Sequence, residues 1–242
     1  MSDREKREIA LAPGSYAYMQ DTTKGIIKTL VGPTIINQTG TEVPVVWDSK
    51  TGKFEQCGAL ESAVKMSLIA VEGSYIVLEN PAKDGKHPAD GISSSTELNV
   101  GRKIVIPGPC VFALWPGQDA KVVEGHQLRS NEYLLVRVYN EEEARKNWTN
   151  AVMKPASGDV PAAPVASVPV DLTVGKLLII RGTEVSFYIP PTGLEVMPDT
   201  ARGGSLFVRN ALTLEKLEYC ILVDENGSKR YEKGPQVVFP KP

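Results

Sequence analysis

The chain has 242 residues, 27 basic and 29 acidic, for a net charge of −2. That length can hold one large domain or several small ones with sizeable cores, and the balanced charge argues against an electrostatic nucleic-acid binder. Three cysteines, Cys57, Cys110 and Cys220, lie far apart without a Cys-x-x-Cys pair. Each sits in or beside an apolar run and reads as a buried free thiol of a reducing compartment.

Residues 1–8, MSDREKRE, form a charged leader, read as flexible, with no apolar region of a classical signal peptide. No apolar run approaches the ~20 residues needed to cross a bilayer. From Ile9 the chain reads as strand, turn and return strand: IALAPGSYAYMQD, a turn over Thr22–Gly25, then IIKTLVGPTII. Trp47–Phe54 looks like a second turn between short strands. The run ALESAVKMSLIAV fits a strand or one helical turn equally. A second copy begins at Glu72-Gly73-Ser74-Tyr75. Its turn holds an insertion, residues 81–98, rich in Gly, Pro, Ser and charge.

A third copy begins near Glu132 with EYLLVRVYN and opens into an insertion over 141–172. Asn140 heads a short helix whose acids come first and bases last, with Glu141–Arg145 and Glu142–Lys146 spaced i,i+4. Residues 154–169, with four prolines, read as a semi-extended, protease-sensitive segment. FYIPPTGLEVMP then parallels FALWPGQDAKVV of the second copy, matching Phe187 to Phe112. The last unit, Tyr219–Pro240, is the clearest. It reads as an apolar strand, Asp-Glu-Asn-Gly, a charged return strand, Gly234-Pro235 and a final apolar run. Asn226-Gly227 predicts a type I′ hairpin turn.

The punctuation repeats. Gly25 and Gly32-Pro33, Gly101 and Gly108-Pro109, and Gly227 and Gly234-Pro235 share one spacing, and Gly175 with Gly182-Thr183 follows it without the proline. Tyr16, Tyr75 and Tyr219 each precede an acidic or amide residue, Asp21, Asn80 and Asp224, at a constant offset, and Tyr133 opens the third copy's strand. This coincidence predicts an internal repeat. The tyrosines read as equivalent core positions, and Asp21, Asn80 and Asp224 as turn formers bonding their own backbone.

Motifs that carry chemistry are few. His87 and His126 have no partner at metal-ligand spacing, and there is no nucleophile elbow or phosphate loop. Glu141–Glu143 read as a solvated helix start. No catalytic, cofactor-binding or metal-binding residue is therefore assigned, and no cofactor or small-molecule substrate is expected.

The segments IALAPGSYAYMQDTTKGIIKTLVGPTII and LFVRNALTLEKLEYCILVDENGSKRYEKGPQVVFP resemble the N-terminal repeats of major vault protein. The resemblance covers most of residues 9–240, with 81–98 and 141–172 as insertions. It implies an all-β chain of small antiparallel modules with at most one or two short helices: repeats over 9–65, 66–125, 126–200 and 201–242. The chain is also similar to virion structural proteins of large tailed phages. That similarity implies a non-enzymatic role in a collar, tail or head-decoration ring, assembled in the host cytoplasm. Expected partners are copies of itself and neighbouring structural proteins, without membrane or specific nucleic acid. The alternative from a different class is a carbohydrate- or surface-binding module with Trp47, Trp115 and the tyrosines as platforms.

Overall fold

The computed structural model describes residues 8–48, 50–156, 168–169, 172–200, 203, 206–224 and 226–240. The chain divides into two compact units, one ending at Glu124 and the other beginning at Gly125. Both are built from short antiparallel strands, with one short α-helix among the described residues. The protein is all-β, made of small modules.

The first unit opens with β1 (Glu8–Leu11), β2 (Ser15–Asp21), β3 (Ile26–Val31), β4 (Thr34–Asn37), β5 (Glu42–Asp48) and β6 (Lys53–Gln56). After a 3-10 turn over Leu60–Ala63 come β7 (Lys65–Met66), β8 (Leu68–Ala70), β9 (Ser74–Glu79), β10 (Gly91–Ser93), β11 (Lys103–Pro107), β12 (Cys110–Phe112) and β13 (Asp119–Glu124). The second unit holds β14 (His126–Gln127), β15 (Glu132–Val138), α1 (Glu141–Asn147), β16 (Val152–Pro155), β17 (Leu177–Arg181), β18 (Val185–Ile189) and β19 (Leu194–Val196). It ends with β20 (Arg209–Asn210), β21 (Leu212–Leu214), β22 (Tyr219–Val223), β23 (Lys229–Lys233) and β24 (Gln236–Val238).

One strand plan occurs four times. An opening strand pairs with a closing strand in β1–β4, β8–β12, β14–β18 and β21–β24. Between them lies a hairpin: β2–β3, β9–β11, β15–β17 and β22–β23. The corner between hairpin and closing strand explains the recurrent glycine. A Cβ on Gly32, Gly108, Gly182 or Gly234 would overlap the carbonyl oxygen of Ala12, Val71, Arg129 or Glu215 respectively. The same four glycines donate their N–H to Ser15, Ser74, Glu132 and Glu218 carbonyls, each at 2.8 Å. Only a residue without a side chain lets two backbones approach this closely.

The turn before each hairpin is braced in two ways. In the first two modules the Ser15 and Ser74 hydroxyls donate to Ala12 and Val71 carbonyls at 2.7 and 2.8 Å. In the last two, the Glu132 and Glu218 carboxylates accept from the N–H of Arg129 and Glu215 at 2.8 and 2.7 Å. Serine and glutamate thus fix the same bend from opposite hydrogen-bonding roles. The Gly-Pro bonds at Gly32, Gly108 and Gly234 are cis.

In the first three modules a further strand completes the sheet on the far side of the hairpin's first strand. β5 and β7 both pair with β2, β13 runs the length of β9, and β19 and β20 both pair with β15. In the fourth, β22 pairs with β23 alone among the described residues. The core of the first unit joins Tyr16, Tyr18, Val31 and Val45 to Ala70, Ile76, Leu78 and Phe112–Leu114. A second cluster packs Leu11, Ala17, Met19, Leu30 and Ile36. The second unit buries Leu134, Val136, Val138, Tyr188 and Leu194 with Trp148 from the segment after α1.

Several expectations need correction. The last hairpin has no two-residue type I′ turn at Asn226-Gly227: Gly227 N–H bonds to Asp224 C=O at 3.0 Å, Asp224 N–H bonds to Ser228 C=O at 3.0 Å, and Gly227 has φ +79°. The Asp224 carboxylate accepts from the N–H of Asn226 and Ser228 at 3.0 and 2.7 Å. This Asx arrangement leaves Gly227 as the bulge residue. Phe187 does not match Phe112. Phe112 faces Leu68 three residues before the bend, and Tyr188, facing His126, occupies that register in the third module. The Gly182-Thr183 corner, lacking proline, runs wider, so the closing strand enters later.

Asn80, at φ +55°, spans the insertion rather than bonding locally, accepting from Gly101 N–H at 2.8 Å and donating to Gly117 C=O at 2.9 Å. The 81–98 insertion is not wholly loop, because β10 pairs with β3. The three thiols are free and half-buried rather than buried. ALESAVKMSLIAV splits into the 3-10 turn and two short strands. Asn140 caps α1, accepting from Glu143 N–H at 3.1 Å. Most of the expected protease-sensitive segment, residues 157–167, lies outside the described residues.

Candidate assembly surface

The equivalent tyrosines diverge in environment. Tyr16 and Tyr75 are 4% and 3% exposed, whereas Tyr219 is 67% exposed. The alternation of β22 puts Tyr219, Ile221 and Val223 on one face, with Ile221 and Val223 46% and 61% exposed. Tyr231 on β23 stands directly opposite Ile221 and is 61% exposed. One side of this hairpin is therefore an apolar surface of two tyrosines and two aliphatic side chains. The reading of Tyr219 as a core residue is overturned: in the first module the corresponding face, Tyr16 and Tyr18, is covered by residues of the second. In the third, Tyr133 meets Phe239 of the fourth edge-on at 6.2 Å, with the Arg181 guanidinium 5.5 Å from the Phe239 ring.

Among the described residues, the same strand has an open backbone edge. Glu218 C=O accepts from Gly234 N–H, and Asp224 N–H donates to Ser228 C=O. Antiparallel pairing alternates, so the backbone groups of Tyr219, Ile221 and Val223 point away from β23. Unpaired ladder groups beside exposed apolar side chains make an adhesive edge. Elsewhere, Ile69 on β8 and Val111 on β12 stand opposite one another and are both exposed.

Residues with chemical potential are occupied otherwise. Trp115 is buried and its indole N–H donates to Lys86 C=O at 2.8 Å, so it offers no open platform. Trp47 packs on Phe54 at 4.9 Å. His87 stacks on Phe112 at 3.7 Å, and burial lowers its pKa. Burial drives that of His126 down to about 4, where its ring meets Phe207 edge-on at 5.0 Å. Burial also raises the Cys57 and Cys110 thiols, which disfavours the thiolate a nucleophile requires. Asp21 is held below the usual carboxylate range, chiefly by hydrogen bonding to the Thr23 hydroxyl, and serves its turn.

An open groove of about 560 Å³ lies beside Arg129, Glu132, Lys154, Ser186 and Phe187. Its carboxylate, Glu132, is engaged in the bend described above, and Lys154 Nζ lies 5.5 Å from the Phe187 ring. Among the described residues, no three His, Cys, Asp or Glu side chains converge as metal ligands. No helix among them is long and apolar enough to cross a membrane.

Sequence reasoning singled out Tyr219, but as a core position, and missed Ile221, Val223 and Tyr231 as surface. No family model matches this chain, and no match to a curated protein was found.

Proposed function

We propose that this chain is a non-enzymatic structural protein that works by associating with copies of itself and with neighbouring structural proteins. The observation that carries the reading is the β22–β23 hairpin, which joins an open strand edge to an exposed face of Tyr219, Ile221, Val223 and Tyr231. Such an edge is a template for another strand, and an apolar face of this kind is ordinarily covered in the working assembly. The near-zero net charge lessens the self-repulsion that close packing of copies would meet.

The likeness of its repeats to vault modules and to virion proteins of large tailed phages supports a ring or shell setting: a collar, tail or head-decoration ring. Light scattering over a concentration series, followed by negative-stain imaging, tests this. The expected result is a discrete higher-order species of repeating subunits. A monodisperse monomer at high concentration, with candidate neighbours present, overturns it.

A further inference from the structure

The chain contains its own template for what covers β22. In the second module, β13 lies antiparallel on β9, from Asp119 opposite Glu79 to Glu124 opposite Ser74, and the next module's opening strand follows at His126. In the first module, Lys65–Met66 pairs with Tyr16 and Ser15 just before β8. In the third, Arg209–Asn210 pairs with Tyr133 and Glu132 just before β21. The register is constant. Met66, Glu124 and Asn210 each stand five residues before the bend residues Val71, Arg129 and Glu215. In the first three modules the central strand is thus closed by the lead-in to the next module.

The sequence preceding the first module offers the same register. Arg7 stands five residues before Ala12, the bend residue equivalent to Val71 and Arg129. Residues 2–7, Ser-Asp-Arg-Glu-Lys-Arg, are therefore the register counterpart of β13. We infer that residues 2–7 of a second copy add as an antiparallel strand to the open edge of β22, so that the first module of one copy succeeds the fourth module of another. This rests on the assembly reading above and specifies its contact.

The pairing follows from β13 on β9. Lys6, Arg4 and Ser2 fall opposite Tyr219, Ile221 and Val223, whose backbone groups face the open edge, and those three pairs exchange the ladder hydrogen bonds. Arg7 falls opposite Glu218, an opposite-charge cross-strand pair. The lead-in sequence is polar where β13 is partly apolar. Side-chain stems of Lys6 and Arg4 lie along the tyrosine face, as Lys65 does in the first module, with its Nζ 6.0 Å from the Tyr18 ring. The body of the second copy's first module then covers Tyr219, Ile221 and Tyr231, as the second module covers Tyr16 and Tyr18. The contact is heterologous: it closes into a ring or extends as a filament according to the rotation between copies.

The pair at Arg7 and Glu218 is of the non-hydrogen-bonded kind, with Cα atoms about 4.5 Å apart, within reach of a disulfide. Two otherwise native chains, one Arg7→Cys and one Glu218→Cys, are mixed and mildly oxidised. The expected product is a reducible dimer holding one of each, with a 7–218 cross-linked peptide by mass spectrometry and none in either chain alone. Amides of Tyr219, Ile221 and Val223 should exchange hydrogen at least tenfold more slowly at assembling concentration than at dilution. Deleting residues 1–7, or replacing Ile221 with Arg, should weaken association at least tenfold with unchanged circular dichroism. Native association without the mixed cross-link and unaffected by the deletion overturns this contact and leaves the assembly reading standing. A native chain that stays monomeric throughout overturns both.

Discussion

Leu217 holds φ at +76° and is 91% exposed, in a bend where the first two modules place Gly14 and Gly73 at +76° and +84°. A leucine there carries a steric cost that glycine does not, of order 1 kcal/mol. Leu217→Gly should therefore raise the stability of the second unit by roughly 0.5–1 kcal/mol in urea unfolding, against the usual direction for glycine substitutions. His126 gives a second expectation. Its folded pKa, about 4, lies below its ordinary value of 6.5, so the unfolded chain binds the extra proton between those values. Its contribution is fully present above pH 6.5 and falls away as pH drops toward 4, by roughly 3 kcal/mol at most. His126→Gln should remove that part of the slope, measured as the midpoint difference between the two proteins at each pH.

At the scale of the element, strands and bends were readable because the chain marks them with residues that have no substitute. The glycine corners are an example: their spacing was visible in the sequence, and the backbone contact explains it. Turn type was less legible. Asn226-Gly227 carries a strong local preference, yet the Asp224 carboxylate gathers two N–H groups and decides the conformation. Asp224→Ala should accordingly cost about 1 kcal/mol, while Asn226→Ala changes stability by less than about 0.5 kcal/mol. Thermal unfolding of the two variants separates the effects, and equal losses would restore the type I′ reading. The match of Phe187 to Phe112 failed for a related reason. A corner without proline shifts the closing strand, and apolar pattern alone does not report where a strand enters its ladder.

For the whole molecule, the all-β modular class was legible from punctuation, since turns at regular spacing exclude long helices. Which tyrosine is covered was not legible, because burial depends on the succeeding module and not on the tyrosine's neighbours in sequence. Tyr16 and Tyr219 begin similar strands and end in opposite environments. A chain ending at Asp224 should therefore lose association while keeping the far-UV spectrum of its first unit, read by light scattering and circular dichroism. If that truncated chain assembles as the full one does, the final hairpin is not the contact.

The pairing of β10 with β3 crosses from the second module's insertion back to the first, Gly91–Ser93 lying on Thr29–Val31. Arrays of independent repeats can gain or lose a unit by gene duplication and deletion, since each contacts its neighbours only at the junctions. Here the first two units of the pattern are buttoned together by a loop that belongs to one and finishes the other. Excising the second would strip an outer strand from the first, and duplicating the first alone would leave its copy's β3 without that partner. Variation in the number of repeats among descendants of such a chain is therefore expected to occur in steps that keep the first two together.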